Sequence, residues 1–146
     1  KQRGTYLVPT LIILEEIVRD GARKGYPAYA IAKAKAVEGQ RRVRLRKAFQ
    51  EGVKFAFGTD ATSDIHGRNG EEFRYMVDIL GATPMQAIRA ATIDAATLLG
   101  VERDFGSLET GKVADIVAVR GDPLVDVGVL TRVVFVMKGG GVVKQP

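Results

Sequence analysis

A chain of 146 residues is too short for a complete eight-stranded βα barrel, which takes about 250 residues, and suits one ordinary domain or two small ones. Its 46% hydrophobic and 27% charged residues mark a globular protein; the absence of cysteine excludes disulfides, a thiolate nucleophile and sulfur-bound metal, and the single histidine excludes a multi-imidazole metal site supplied by this chain alone. The net charge of +5 is uneven, residues 1–54 holding 13 Lys/Arg against 5 Asp/Glu.

Taken in chain order, Gly4 to Thr10 reads as a strand, with Thr5, Tyr6, Leu7 and Val8 as strand formers and Pro9 closing the run. Leu11 to Arg23 reads as a helix with an apolar stripe of Ile12, Ile13, Ile17 and Val18, stopped by Gly25. A second helix starts near Pro27, which has no amide proton to lose in a first turn, and runs to Glu51 before Gly52. Val53 to Gly58 is a compact apolar strand with no polar face, the pattern of a strand covered on both sides in a parallel barrel or layered sheet. A polar loop over Asp60 to Arg68 precedes a helix from Asn69 to Leu80. Thr83 then opens another as a capping box with Gln86, and helical patterning continues to Leu99 with a break at Thr92.

Beyond Gly100 the pattern changes to short strands, Ala114 to Val119, Arg132 to Lys138 and Gly141 to Val143, punctuated by glycines and Pro123. These predict a small antiparallel unit, with the domain boundary between Gly100 and Gly106. Apolar runs are broken by Glu15 and Glu16 or by Lys138 before the roughly 18 residues that suggest a membrane span, so none is expected. The chain opens at Lys1 with no charged-then-apolar leader, which favours a cytoplasmic location and suggests a processed or truncated product.

Several segments could carry chemistry. Gly106 to Lys112 (GSLETGK) matches the start of a phosphate-binding loop. However, Val113 stands where a hydroxyl should meet magnesium, and a strand follows instead of a helix, so a turn between strands is the expectation. Lys33 to Lys47, with Arg41, Arg42, Arg44 and Arg46, reads either as a solvated helix face or as a phosphate-attracting stripe. No aromatic residue interleaves with the arginines to stack on bases, so nucleic acid is not expected as a partner. In Phe55 to Asp60 (FAFGTD), Asp60 would stand at the C-terminal end of its strand, where barrel enzymes place catalytic groups. It could bind a metal or move a proton there, and equally could be a loop acid or helix cap. His66 faces the same choice between an exposed loop residue and a substrate contact, with Arg68 and Asn69 as further anchors for an anionic or carbonyl substrate.

The ordered series GTYLVPTL (4–11), GVKFAFGTD (52–60), HGRN (66–69), TPMQAIRAAT (83–92), AATLLG (95–100), GSLETGKVADIVAVRGDPL (106–124) and VVFVMKGGGVV (133–143) resembles the C-terminal part of the metal-dependent amidohydrolase superfamily. In particular it is similar to the imidazolonepropionase-like branch, which includes dipeptidases and carboxypeptidases acting on Xaa-Pro or N-acyl amino acid substrates. The resemblance implies an α/β fold: the last two βα units of a TIM-type (β/α)8 barrel in residues 1–105, and the C-terminal part of a β-sandwich in residues 106–146. It implies that Asp60 is the aspartate of barrel strand eight, ligating a divalent metal, expected to be zinc, and shuttling a proton during hydrolysis of an amide or peptide-like C–N bond. It also places His66 over the substrate, with Arg68 and Asn69 beside it.

The family's remaining ligands, the HxH pair, a bridging lysine and two further histidines, have no counterpart here. One carboxylate cannot hold a catalytic zinc. The chain by itself is therefore expected to be inactive and to need an N-terminal companion, or a homo-oligomer, to cover its open strand edges. The alternative is a non-catalytic, folded or self-associating module.

Overall fold

The computed structural model describes residues 4–61 and 65–146. Strand β1 (Tyr6–Leu7) pairs in parallel with β2 (Lys54–Phe55), Tyr6 opposite Lys54 and Leu7 opposite Phe55. One further bond runs from the Ala56 amide to the Leu7 carbonyl at 3.1 Å. The strands predicted over Gly4 to Thr10 and Val53 to Gly58 are thus paired over only two residues each. A parallel strand completes its hydrogen bonding with a neighbour on either side, and among the described residues each of these has one neighbour. Gly58 permits the close approach of the two chain segments, since a Cβ there would lie 2.4 Å from Val8 Cγ1.

The crossover consists of α1 (Leu11–Asp20) and α2 (Ala28–Gln50). α1 buries Leu11 and Ile12 but also Glu15 and Glu16, and buried carboxylates demand partners. α2 supplies them and more. Arg42 pairs with Glu15 and, at 2.8 Å, with Glu38. Arg41 donates to the Pro9 and Thr10 carbonyls. Arg46 donates to the carbonyls of Asp78 and Ile79 at 2.7 and 2.8 Å. Three cations of the basic stripe therefore lock α2 onto the elements around it.

α3 (Glu71–Tyr75) continues as a π-helical turn, Met76–Leu80, ending at Gly81 in the left-handed conformation that glycine adopts without strain. α4 (Pro84–Ala91) opens with the capping box read from the sequence: the Gln86 amide donates to Thr83 Oγ1 at 3.2 Å and the Thr83 amide to Gln86 Oε1 at 2.8 Å. The chain breaks at Thr92, and α5 (Ile93–Leu99) ends at Gly100. Leu11, Phe55, Met76, Ile79, Leu80, Ala87 and Ala90 form the core between these helices and the strand pair.

The remaining strands, β3 (Ile116–Val119), β4 (Val133–Lys138) and β5 (Gly141–Lys144), form one antiparallel sheet in the order β3-β4-β5. A 3-10 turn over Val127–Thr131 precedes β4, started by Asp126 accepting the Gly128 amide at 2.8 Å. That turn lies against α3, where a Cβ on Gly70 would come 2.9 Å from the Leu130 carbonyl. Gly106 makes a second close junction, since a Cβ there would be 2.8 Å from that of Ala96.

Candidate active site

The parallel pairing brings the C-terminal ends of β1 and β2 to one face. β2 is followed by Phe57, whose amide donates to the Ala90 carbonyl at 2.9 Å and whose ring packs 4.4 Å from that of Phe73. Thr59 is buried, and the next residue, Asp60, is exposed. Among the described residues only two that are not glycine have positive φ: Thr10 (43°), just past β1, and Asp60 (50°), just past β2. Such a conformation is uncommon outside glycine and costs free energy, less for aspartate than for a β-branched threonine. Both strained positions lie in the segments that follow the two parallel strands, beyond Leu7 and beyond Phe55.

Part of the loop predicted over Asp60 to Arg68, residues 62–64, lies outside the described residues. Beyond it Ile65, 1% exposed, anchors a turn that carries His66 at the surface. The Asn69 side chain reaches back across this turn: its Nδ2 donates to Thr59 Oγ1 at 3.0 Å and its Oδ1 accepts the Gly67 amide at 3.2 Å. The motifs FAFGTD and HGRN, read separately in the sequence, are thus tied together beside Asp60.

Arg68 is placed differently. Its guanidinium donates to Glu71 at 2.7 and 2.8 Å and to Glu16 at 3.0 and 3.3 Å. The bonds to Glu71 and then to Glu16 push it further toward permanent protonation. Glu16, 2% exposed, is also paired with Arg19 and, at 2.6 Å, with Lys24. Burial alone would raise the Glu16 carboxyl, but hydrogen bonds from Arg68 and Lys24 outweigh it and hold it below the usual carboxylate range. Arg68 is therefore committed to a carboxylate cluster.

The residue that sequence reasoning missed is Glu72. Fully buried, it accepts the backbone amides of Leu11 and Ile12, each at 2.8 Å, and so caps α1 from across the fold. Thr10, the local capping position, makes no side-chain bond to the helix. Burial pushes the Glu72 carboxyl up to about 7, against the lowering effect of the two amides and of Arg41. No local pattern identifies it, because its partners lie about sixty positions away.

Elsewhere, Lys112 of the GSLETGK segment donates to the Glu102 carbonyl at 2.8 Å and to Ser107 Oγ at 2.5 Å. Its ammonium pins the turn that leads toward β3, as expected of a structural turn. Among the described residues no three His, Asp or Glu side chains cluster as a metal-binding group. Asp60 offers one carboxylate, so the described residues alone do not fit a divalent cation.

Comparison with known proteins adds the following. A family model described as "Amidohydrolase family" matches residues 1–144. The ochratoxinase of Aspergillus niger is 31% identical over 150 residues, a match covering 100% of this chain and 31% of the relative. A solved Xaa-Pro dipeptidase with methionine bound in its active site superimposes with a TM-score of 0.87 at 42% identity, covering 98% of this chain and 35% of that one. A prolidase in complex with N-methylphosphonate-L-proline superimposes with a TM-score of 0.89 at 33% identity, covering 99% and 36%. The chain spans about a third of the length of these relatives.

Proposed function

This chain belongs to the amidohydrolase family, a family that binds divalent metals and whose fold joins a TIM-type barrel to a second β domain, and on that premise we propose that it contributes one carboxylate and its supporting loop to a hydrolase of small amide or peptide-like substrates. In this reading residues 1–105 are the last two βα units of the barrel and residues 106–146 a share of the β-sandwich. Asp60 stands at the end of strand eight and holds the proton that passes from the attacking water to the leaving nitrogen. Asn69 orients the backbone before it through Thr59, and His66 faces the substrate from the turn above. Arg68 acts on the substrate only indirectly, by fixing that turn through Glu16 and Glu71.

The observation that carries this reading is the position of Asp60, exposed and left-handed immediately after a buried, hydrogen-bonded Thr59 at the C-terminal end of a parallel strand. The remaining metal ligands would come from outside this chain, with zinc as the metal. Xaa-Pro dipeptides are the substrates to try first, given the dipeptidase and prolidase similarity.

The test is co-expression with an N-terminal companion carrying the other six strands, followed by assay of Xaa-Pro hydrolysis. Asp60→Asn should lower kcat by at least about a hundredfold, the usual scale for a lost acid-base group, with the assembly intact. Full activity in that variant would remove Asp60 from the chemistry. A self-associating role is the second reading, favoured by apolar side chains such as Leu108 and Val125, which are 76% and 84% exposed. Hydrolysis assayed with and without the companion separates it from the first, since a self-associating module stays inactive in both.

A further inference from the structure

Thr10 and Asp60, the two strained strand-end residues, are reached from one short segment. Asn69 bonds to Thr59 beside Asp60, and Glu72, in the first turn of α3, bonds to both amides that follow Thr10. Arg41 completes the grip on the first end, donating to the Pro9 and Thr10 carbonyls. One side of the β1–α1 turn thus gives its amides to an anion, and the other gives its carbonyls to a cation.

We propose that Glu72 is a positioning residue for this face: its ionised carboxylate, backed by Arg41, holds the β1–α1 turn while Asn69 holds Thr59, so that one segment sets the two strand ends relative to each other, and protonation of Glu72 releases the first of them. The reading of Asp60 as the site carboxylate gives this brace its purpose, but the brace itself is independent of that reading.

The geometry requires the charged form. Each carboxylate oxygen takes one amide at 2.8 Å, and a protonated carboxyl keeps only one good acceptor and gains a proton needing an acceptor of its own. The charged form is also held at a cost to stability, because burial outweighs the amides and Arg41 and places the titration near neutrality, at about 7.

The groups facing Glu72 are few. Arg41 of α2 favours its charge, and Glu15 of α1 opposes it but is itself paired with Arg42. On its own element Glu71 turns to Arg68. The 3-10 turn packed against α3 reads VGVLT and carries no ionisable side chain, and Arg89 of α4 lies 3.9 Å from Asp94.

The test is heteronuclear NMR on the full chain, titrated from about pH 5 to about pH 9, a range that brackets the expected transition. The Glu72 carboxyl carbon and the Leu11 and Ile12 amides should titrate together, with a midpoint near neutrality. On the acid side the protection factors of those two amides, taken relative to the intrinsic exchange rate at each pH, should fall about tenfold, the amount expected for one lost hydrogen bond. The signal of Thr10 should follow the same curve, while that of the Thr59 amide, whose side chain Asn69 holds, should not. Glu72→Gln should hold the Thr10, Leu11 and Ile12 backbone signals at their acid-side values at every pH, and if that variant does not fold, the titration of the unmodified chain decides alone. Leu11 and Ile12 amides that ignore the Glu72 titration, or a Thr10 signal that stays fixed while they move, would overturn the proposal. Neither readout depends on hydrolysis, so failure of the brace and failure of the amide-hydrolase reading are distinguishable.

Discussion

The side-chain amide of Asn69 donates to the hydroxyl of Thr59 at 3.0 Å, joining the turn that carries His66 to the residue before Asp60. Asn69→Ala removes this bond and also frees the Gly67 amide. A net hydrogen bond contributes about 1 kcal/mol, so the urea midpoint should fall by that equivalent with the m-value unchanged. In an assembled enzyme the same variant should lower kcat more than it raises KM, because it misplaces a reacting group without removing a substrate contact.

Arg68→Ala separates two roles that the sequence leaves open. If the guanidinium serves the carboxylate cluster, its loss leaves Glu16, 2% exposed, with Arg19 and Lys24 only. Stability should then fall by about 2 kcal/mol, less than for a buried carboxylate stripped of every partner. Arg68→Lys should recover under half of that, since one ammonium cannot bridge Glu16 and Glu71 as the planar fork does. A raised KM with an unchanged melting temperature would instead mark a substrate contact.

Glu72 predicts a pH dependence with a definite sign. Below its ordinary value of 4.5 the carboxyl is neutral in both folded and unfolded chains. As pH rises from 4.5 toward 7 the unfolded chain releases its proton while the folded one keeps it, so this residue's contribution moves against folding, and above about 7 it levels off. The total is on the order of 3 kcal/mol. Glu72→Gln abolishes this component. Urea denaturation of both chains across that window should show the difference between them widening in the variant's favour as pH rises; a constant difference would refute the linkage.

Gly58→Ala places a methyl 2.4 Å from Val8 Cγ1. Overpacking of this kind costs about 1 to 3 kcal/mol. Val8→Ala removes the colliding group, so the double variant should recover part of the loss. A double-mutant cycle should then give a coupling of at least about 0.5 kcal/mol.

What could be read in advance follows the range of the interactions. The Thr83–Gln86 capping box, the break at Thr92 and the stop at Gly100 all depend on neighbours within four residues, and all stand where the pattern puts them. The antiparallel unit was legible because its strands are close in sequence. The helix expected from Asn69 to Leu80 begins two residues later and widens to π geometry at Met76, where Arg46 takes carbonyls near its end. The turn at Val127–Thr131 was missed although Asp126 and Gly128 form a recognisable local cap. Asp60, His66, Arg68 and Asn69 were named as candidates from strand-end position and motif. Glu16 and Glu72 were not, because the cations and amides that make burial of a carboxylate tolerable come from distant segments and leave no periodic trace.

The two-residue ladder between Tyr6 and Lys54 spans the whole of α1 and α2. So few hydrogen bonds cannot repay the entropy of closing so long a loop, which means this pairing cannot nucleate assembly. The helical hairpin must dock first and deliver the two strands to each other already half aligned. Kinetically, substitutions at the hairpin seam such as Arg42 should slow refolding, whereas those at the strand contact should chiefly hasten unfolding.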